Sequence, residues 1–455
     1  MPLVRLIAEG VGPFQKLDLD LSDGHGNPHL GPHILAGVNG SGKSTVLRTI
    51  AWVMDRGVCG FPYDEWEEML RGHKRSTAVA ATIAGAYGNI ASSLPKFSEL
   101  QRWAASCGLD APISADVMTA PGGQWSPPPK IDFPNPGHAG SRFSYAAYTP
   151  SRALRHVPLL DLTRRLKDGF ENCLAFESTV QNEATQAWLV GQYSNAAIAR
   201  DQKKSDEPYE RALRKFREAL KSVYGGEITL DVVLDSFSPQ PSLKFKGRSL
   251  NFSQLPDGVR STVGWIADFM MRQDRVDWDP ALKGKRPGFL LLDEPDMYLH
   301  PKWQRTLLPA LRKALPEIQI IVASHSPFII SSCQGARIHI LDVDEHGNAT
   351  ARPPMDAPIG KSVMATLTDI FGIRSEFDVE TERELDEWNK LKRLGEVGPL
   401  PAKDKARLRE LTITLSDRSE ELCSLVAAPV TIAPSVVDSL LRTPPRPKPA
   451  RRKRA

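Results

Sequence analysis

Apolar and polar positions follow two periods along this chain, and each change of period predicts an element. Residues 3–21 alternate about a Gly10-Val-Gly12-Pro13 turn and predict two strands, the second ending in Leu17-Asp-Leu-Asp-Leu21 with one wet face. Ile34-Leu-Ala36 predicts a short buried strand, and Val46 to Met54 place apolar residues at helical spacing. Residues 60–111 mix both characters and set no order of elements. Residues 112–140 hold seven prolines and four glycines, which predicts a loop. Phe143 to Arg152 read as a strand ending at a Pro-bearing turn. From about Asp161 to Tyr224 helix formers dominate, with a break near Lys203 to Pro208. Two antiparallel helices of about 28 residues would reach roughly 40 Å, a lobe rather than a long coiled-coil arm.

Further along, Glu227–Leu234 and Ser242–Lys246 predict a strand pair, and Thr262 to Met271 an apolar helix. Phe289–Leu292 and Ile318–Ala323 are continuous apolar runs, as in buried parallel strands. Arg337–Asp344 and Ala349–Arg352 predict a hairpin at a sheet edge. Residues 359–425 are helical and charged, broken at Pro399-Leu-Pro-Ala402. The alternation of strands and helices predicts an α/β head with a mostly parallel sheet.

Composition narrows the setting. A chain of 455 residues can hold about three domains, and its 41% apolar and 25% charged residues are ordinary for a soluble protein. It has no run of 18 apolar residues, and its N-terminus alternates like a strand rather than a signal peptide. A cytoplasmic protein without a membrane partner is expected. The five cysteines are scattered with no Cys-x-x-Cys pair, so neither disulfides nor zinc are indicated. The formal charge is +4, but seven Lys or Arg lie between Arg442 and Arg454, and removing them from +4 leaves −3. The basic character is a local Pro-rich tail that could meet nucleic acid or an acidic partner, or simply solvate the end.

The candidate chemistry centres on Gly37-Val-Asn39-Gly40-Ser41-Gly42-Lys43-Ser44-Thr45, between the short strand and its helix. Gly37, four residues, then Gly42-Lys43-Ser44 match the nucleotide-binding P-loop, whose backbone N–H groups close around phosphate oxygens at a helix N-terminus. Lys43 would lie against the β- and γ-phosphates of ATP and Ser44 would be a Mg²⁺ ligand. A glycine-rich turn of similar spacing is the bland alternative. At the end of the run Phe289–Leu292 stand Asp293 and Glu294, and acids at the end of a buried strand are expensive unless they hold something. Asp293 suits the Mg²⁺ shell, and Glu294 suits orienting and polarising an attacking water. His300 reads as a packing or capping residue, and Pro301 suits a first helical turn.

These motifs, in this order, resemble the ABC-type ATPases of the RecF-like, SMC-like and OLD-like branch, over residues 1 to about 350. The strand, Gly-Pro-Phe, strand opening and the segments Asp293-Glu-Pro-Asp-Met-Tyr-Leu-His-Pro301 and Ser324-His-Ser-Pro327 carry the likeness. What it implies is an ATPase head that pairs with a second copy and sandwiches two nucleotides. His325 matches the switch histidine that contacts the γ-phosphate. Asn251 to Ser261 stand where the signature loop reaches the partner's nucleotide. Pro256 replaces the expected serine there, which leaves Gly258 and the hydroxyl of Ser253 or Ser261. Tyr148 or Arg152 could supply the polar contact at the end of the strand near the nucleotide, where the family has a glutamine; a structural strand end is the alternative. Many such stand-alone ATPases belong to bacterial anti-phage systems such as Septu, which implies a sensor subunit acting with a separate effector, often a nuclease. A RecF-like DNA maintenance ATPase binding DNA directly is the alternative. An OLD-like nuclease is a third, suggested by Asp342 and Asp344, which also fit a polar hairpin. The expected division is head residues 1–160, helical lobe 161–224, head residues 225–355, helical appendage 356–430 and basic tail 431–455.

Overall fold

The computed structural model describes residues 3–25, 27–54, 78–83, 144–149, 154, 155, 157, 161–234, 239–358, 360–373 and 377–427. Arg152, the 112–140 segment and the basic tail lie outside the described residues. Residues up to Ile373 form one compact unit, and those from Arg374 onward a second.

The first unit is built on a seven-stranded sheet. Its strands are β3 (His33–Gly37), β5 (Ser144–Tyr148), β9 (Gly288–Asp293), β10 (Ile318–Ala323), β11 (Arg337–Val343), β12 (Ala349–Ala351) and β13 (Met355–Asp356). The order is β12-β11-β3-β10-β9-β5, with β13 beside β11. The five strands from β11 to β5 are parallel, and β12 and β13 pair antiparallel to β11. Every residue of β3, β5 and β10 is buried, because helices cover both faces of a parallel sheet. A three-stranded antiparallel layer of β1 (Leu3–Val11), β2 (Phe14–Asp20) and β4 (Ala78–Ile83) packs with it. A second antiparallel layer holds β6 (Ile228–Leu234), β7 (Pro239–Phe245) and β8 (Arg248–Leu250).

Among the described residues the longer helices of this unit are α1 (Lys43–Met54), α2 (Asn182–Asp201), α3 (Glu207–Tyr224), α4 (Asp257–Arg275), α5 (Pro301–Ala314) and α6 (Val363–Phe371). The lobe is smaller than its composition predicts: α2 and α3 have 20 and 18 residues, not about 28 each. Residues 161–181 form turns instead. The side chains of Asp161 and Asp168 take the N–H groups of Thr163, Phe170 and Glu171, which offers the backbone an alternative to helix.

At the N-terminal end of β3 a buried polar cluster ties the layers together. The Gln319 amide accepts from Leu3 N–H at 2.8 Å and donates to the Leu3 carbonyl at 2.9 Å, which fixes the first residue of β1 to β10. His33 Nε2 lies 3.0 Å from the His29 carbonyl, so it carries the proton. Its Nδ1 therefore accepts from His339 Nε2 at 3.0 Å. Burial drives both imidazoles well below their ordinary range.

The second unit contains α7 (Val379–Val397), α8 (Ala402–Arg418) and α9 (Glu420–Ala427) around Trp388, Leu411, Leu415, Leu422 and Val426. Trp388 Nε1 donates to Thr412 Oγ1 across α7 and α8, and Arg407 clamps Glu387 with two nitrogens. No helix among the described residues is long and apolar enough to cross a membrane.

Candidate functional site

The parallel register brings the C-terminal ends of three strands to one edge, where Ala323 sits beside both Leu35 and Asp293. Crevices outside such strand ends are where open α/β sheets bind ligands. Gly37 closes β3 and starts the loop into α1. A Cβ on Gly37 would collide with the Leu341 carbonyl, and one on Gly42, at φ 87°, would come within 2.5 Å of the Phe14 ring. The turn between β1 and β2 thus lies against the loop, which explains why a β-layer precedes it.

Inside the loop Lys43 is 6% exposed, and its ammonium donates to the carbonyls of Gly37 at 3.1 Å and Val38 at 3.0 Å. Burial lowers its pKa, and the carboxylates of Glu294 and Asp293 oppose that. Asn39, Gly40 and Ser44 face outward, whereas Gly42 and Thr45 are half-buried. Ser41 Oγ is buried with no hydrogen-bond partner among the described residues. A cradle that only glycine permits, an unsatisfied hydroxyl and a sequestered ammonium together fit a phosphate chain at a helix N-terminus.

Glu294 follows β9 in left-handed backbone, φ 44°, and its N–H donates to the Ala323 carbonyl at 2.9 Å. Non-glycine residues held there cost on the order of 1–3 kcal/mol, and such strain gathers at functional sites. His325 Nε2 is 3.9 Å from Glu294 Oε1. Burial first, then the Lys43 ammonium, hold His325 below its usual range, with Glu294 opposing. Lys43, Glu294 and His325 are therefore electrostatic neighbours although Lys43 and His325 are 282 positions apart in the chain.

A second set of residues, silent in the sequence reading, fixes the histidine loop. Ser324 Oγ donates to Asp296 at 2.6 Å and accepts from the Ser326 N–H at 3.0 Å. Ser326 Oγ donates to Gln304, whose amide reaches the carbonyls of Asp296 and Leu299. In the sequence Asp296, Ser324 and Ser326 stand only as members of the two segments that carry the family likeness, with no role of their own. His300 caps α5, its Nδ1 accepting from Lys302 N–H at 3.2 Å, with Pro301 in the first turn.

The remaining candidates are engaged in contacts of their own. Gly258 is buried against the Tyr298 carbonyl, an approach closed to any Cβ. Ser253 Oγ donates to Asn251 Oδ1 at 2.7 Å within a capping box that ends before Pro256, and Ser261 is buried. Tyr148 fits the structural strand-end reading: its hydroxyl donates to buried Asp268 at 2.8 Å, inside the core. Asp342 is paired with Arg352, and Asp344 takes the turn N–H groups of His346 and Asn348. No group of three or more metal-ligating side chains occurs among the described residues.

Sheet order, glycine loop and strand-end acids resemble those of P-loop ATPase heads of the ABC type. The chain resembles Septu protein PtuA of Bacillus thuringiensis, with 31% identity over 153 residues, 31% of this chain and 39% of that protein. It is also similar to the "Retron Ec83 probable ATPase" of Escherichia coli, 32% identical over 155 residues, 30% of this chain and 29% of the relative. The "Retron Vc95 probable ATPase" of Vibrio cholerae serotype O1 biovar El Tor is 26% identical over 167 residues, 36% of this chain and 32% of the relative. The matches thus span about a third of the length of these curated relatives. Residues 157–331, which include Asp293, Glu294 and His325, match the family described as "AAA domain, putative AbiEii toxin, Type IV TA system". Among solved structures, an SMC head bound to the C-winged helix domain of ScpA covers 79% of this chain and 98% of its own at a TM-score of 0.43 and 15% identity. The SMC head domain from Thermotoga maritima covers 78% and 99% at 0.39 and 16%.

Proposed function

We propose that this chain is a Mg-ATP-dependent ATPase whose heads pair on nucleotide, serving as the sensor subunit of an anti-phage defence complex with a separate effector protein, a nuclease. The meeting of Lys43, Glu294 and His325 at one sheet edge is the observation that carries the reading. Likeness to Septu and retron ATPases supports the defence setting.

The backbone of Gly37 to Thr45 binds the phosphates, and Lys43 turns its ammonium from the loop carbonyls toward their charge. Mg²⁺ held by Ser44 and Asp293 would neutralise the phosphate oxygens. Glu294 orients a water in line with the terminal phosphate and takes its proton as the oxygen attacks phosphorus and the bond to ADP breaks. His325, kept neutral by burial and Lys43, offers an N–H toward the same phosphate without adding charge. Engagement of Asp342 and Asp344 within their hairpin leaves direct DNA cutting by this chain without support among the described residues.

Phosphate release and ATP binding by purified variants test the chemistry. Glu294→Gln is expected to keep ATP bound while turnover falls roughly 10²-fold or more, the scale of a lost general base. Lys43→Ala is expected to lose ATP affinity, and wild-type binding would remove the loop from its role. A stoichiometric effector on purification from the native host supports the defence reading; salt-sensitive duplex binding with no partner would replace it with DNA maintenance.

A further inference from the structure

A cavity of about 370 Å³ opens where α3, the end of α4 and the loop before β9 meet, lined by Pro208, Arg211, Ala212, Lys215, Asp274 and Arg286. Three cations face one carboxylate there. That carboxylate is turned away: Asp274 Oδ2 accepts from Trp188 Nε1 at 3.1 Å and Gln192 Nε2 at 2.8 Å, both on α2. Its other oxygen is 3.9 Å from Arg286, too far for a hydrogen bond. Arg211 has a loose contact with Glu207 at 3.7 Å, across an exposed pair. Glu317 borders only the smaller neighbouring cleft, which shares Lys215 and Arg286.

Positive charge is thus gathered in a partly desolvated recess and left under-neutralised. Arg286 feels this chiefly as burial, which acts against its protonated form; Asp274 opposes that, and the like charge of Arg211 adds a smaller push in the same direction as burial. An entering anion would relieve this repulsion and use guanidinium forks that suit phosphate oxygens. The recess is also distant from the P-loop, because Gly288 begins β9 and Asp293 ends it, roughly 15–20 Å along the strand.

We propose that this cavity is a second anion site, which binds a small phosphate-bearing ligand of nucleotide size separately from the P-loop. A compact recess, rather than a basic stripe, favours a small molecule over a nucleic-acid strand, and its volume lies within the range of ligand pockets.

Isothermal titration of the full chain carrying Lys43→Ala, with inorganic pyrophosphate as probe, tests the site without the P-loop. Saturable binding is expected, weakened at least about tenfold by adding Lys215→Ala with Arg286→Ala, the scale of lost charge-assisted hydrogen bonds. Lys215→Glu, at an exposed helical position, should do the same where the double variant misfolds. Lys283→Ala, on the same loop but off the cavity wall, should leave affinity unchanged. Absence of saturable pyrophosphate binding, or equal affinity in the cavity variants, overturns the proposal. Binding of a single-stranded oligonucleotide that needs Lys215 while pyrophosphate does not bind overturns it in favour of nucleic acid. Failure of the ATPase reading would show separately, as ATP binding indifferent to Lys43→Ala.

Discussion

His33 and His339 are neutral inside the fold, and that has a sign in pH. Burial holds both below the ordinary imidazole range, His339 at about 3, with the Arg337 charge adding to the effect. In the unfolded chain both take a proton below about pH 6.5. The unfolded state then binds more protons than the fold, so stability falls as pH drops through 6.5 and keeps falling toward the folded values. Between pH 7.5 and 5.5 each histidine should cost about 1.4 kcal/mol. Urea midpoints measure this, and His339→Gln, which still offers a donor to His33, should flatten the pH slope by about one proton. A slope identical to wild type would refute the assignment. Neither residue stood out in the sequence, where each is one polar position in an apolar strand and only the β3–β11 pairing makes them partners. Lys43, Asp293, Glu294 and His325 were legible because loop and strand-end motifs are local. Ser324, Asp296 and Gln304, which hold the histidine loop, were not, since their bonds join three separate segments.

At the scale of elements, α4 is bolted to its surroundings by charge. Asp268 accepts from Tyr148 on β5, Gln181 N–H, Thr185 on α2 and Arg272 on its own helix. Arg272 in turn donates to the carbonyls of Gly169, Glu171 and Thr179. That explains why residues 161–181 depart from the helix their composition predicts: a side chain about a hundred positions away satisfies their carbonyls. Strands and helices with strong periods, such as β9, β10, α1 and α4, were readable because their burial is encoded in each element alone. Both charges of the pair are essentially inaccessible. Asp268→Ala should therefore cost roughly 3–5 kcal/mol by stranding Arg272, and Arg272→Met should cost a similar amount by stranding Asp268. The double variant should cost clearly less than the two together, read by a denaturation double-mutant cycle. Strict additivity would mean that the two charges do not depend on each other.

For the whole molecule, the proposed pairing of heads has a physical counterpart beside the P-loop. Val38, Met297 and Tyr298 are 50%, 38% and 69% exposed, apolar side chains around a polar site. Tyr298 holds left-handed backbone at φ 64°, where a bulky residue costs roughly 1–2 kcal/mol and glycine costs little. Its carbonyl packs on Gly258, so the start of α4 and the segment after Glu294 adjoin. A chain that only needed this turn would lose nothing with glycine at the position. In the proposed pairing of heads the exposed Tyr298 ring is the contact to test. Tyr298→Gly should therefore leave the fold as stable or up to about 1 kcal/mol more so, because the strain is removed while ATP still binds. In the Glu294→Gln background, where bound nucleotide should hold heads together, the same change should weaken the dimer at least about tenfold, the effect of losing a buried aromatic anchor. Light scattering with and without Mg-ATP reads the association, and thermal melts read the stability. A dimer of undiminished affinity would take Tyr298 out of the interface and leave its strained backbone without a role in pairing.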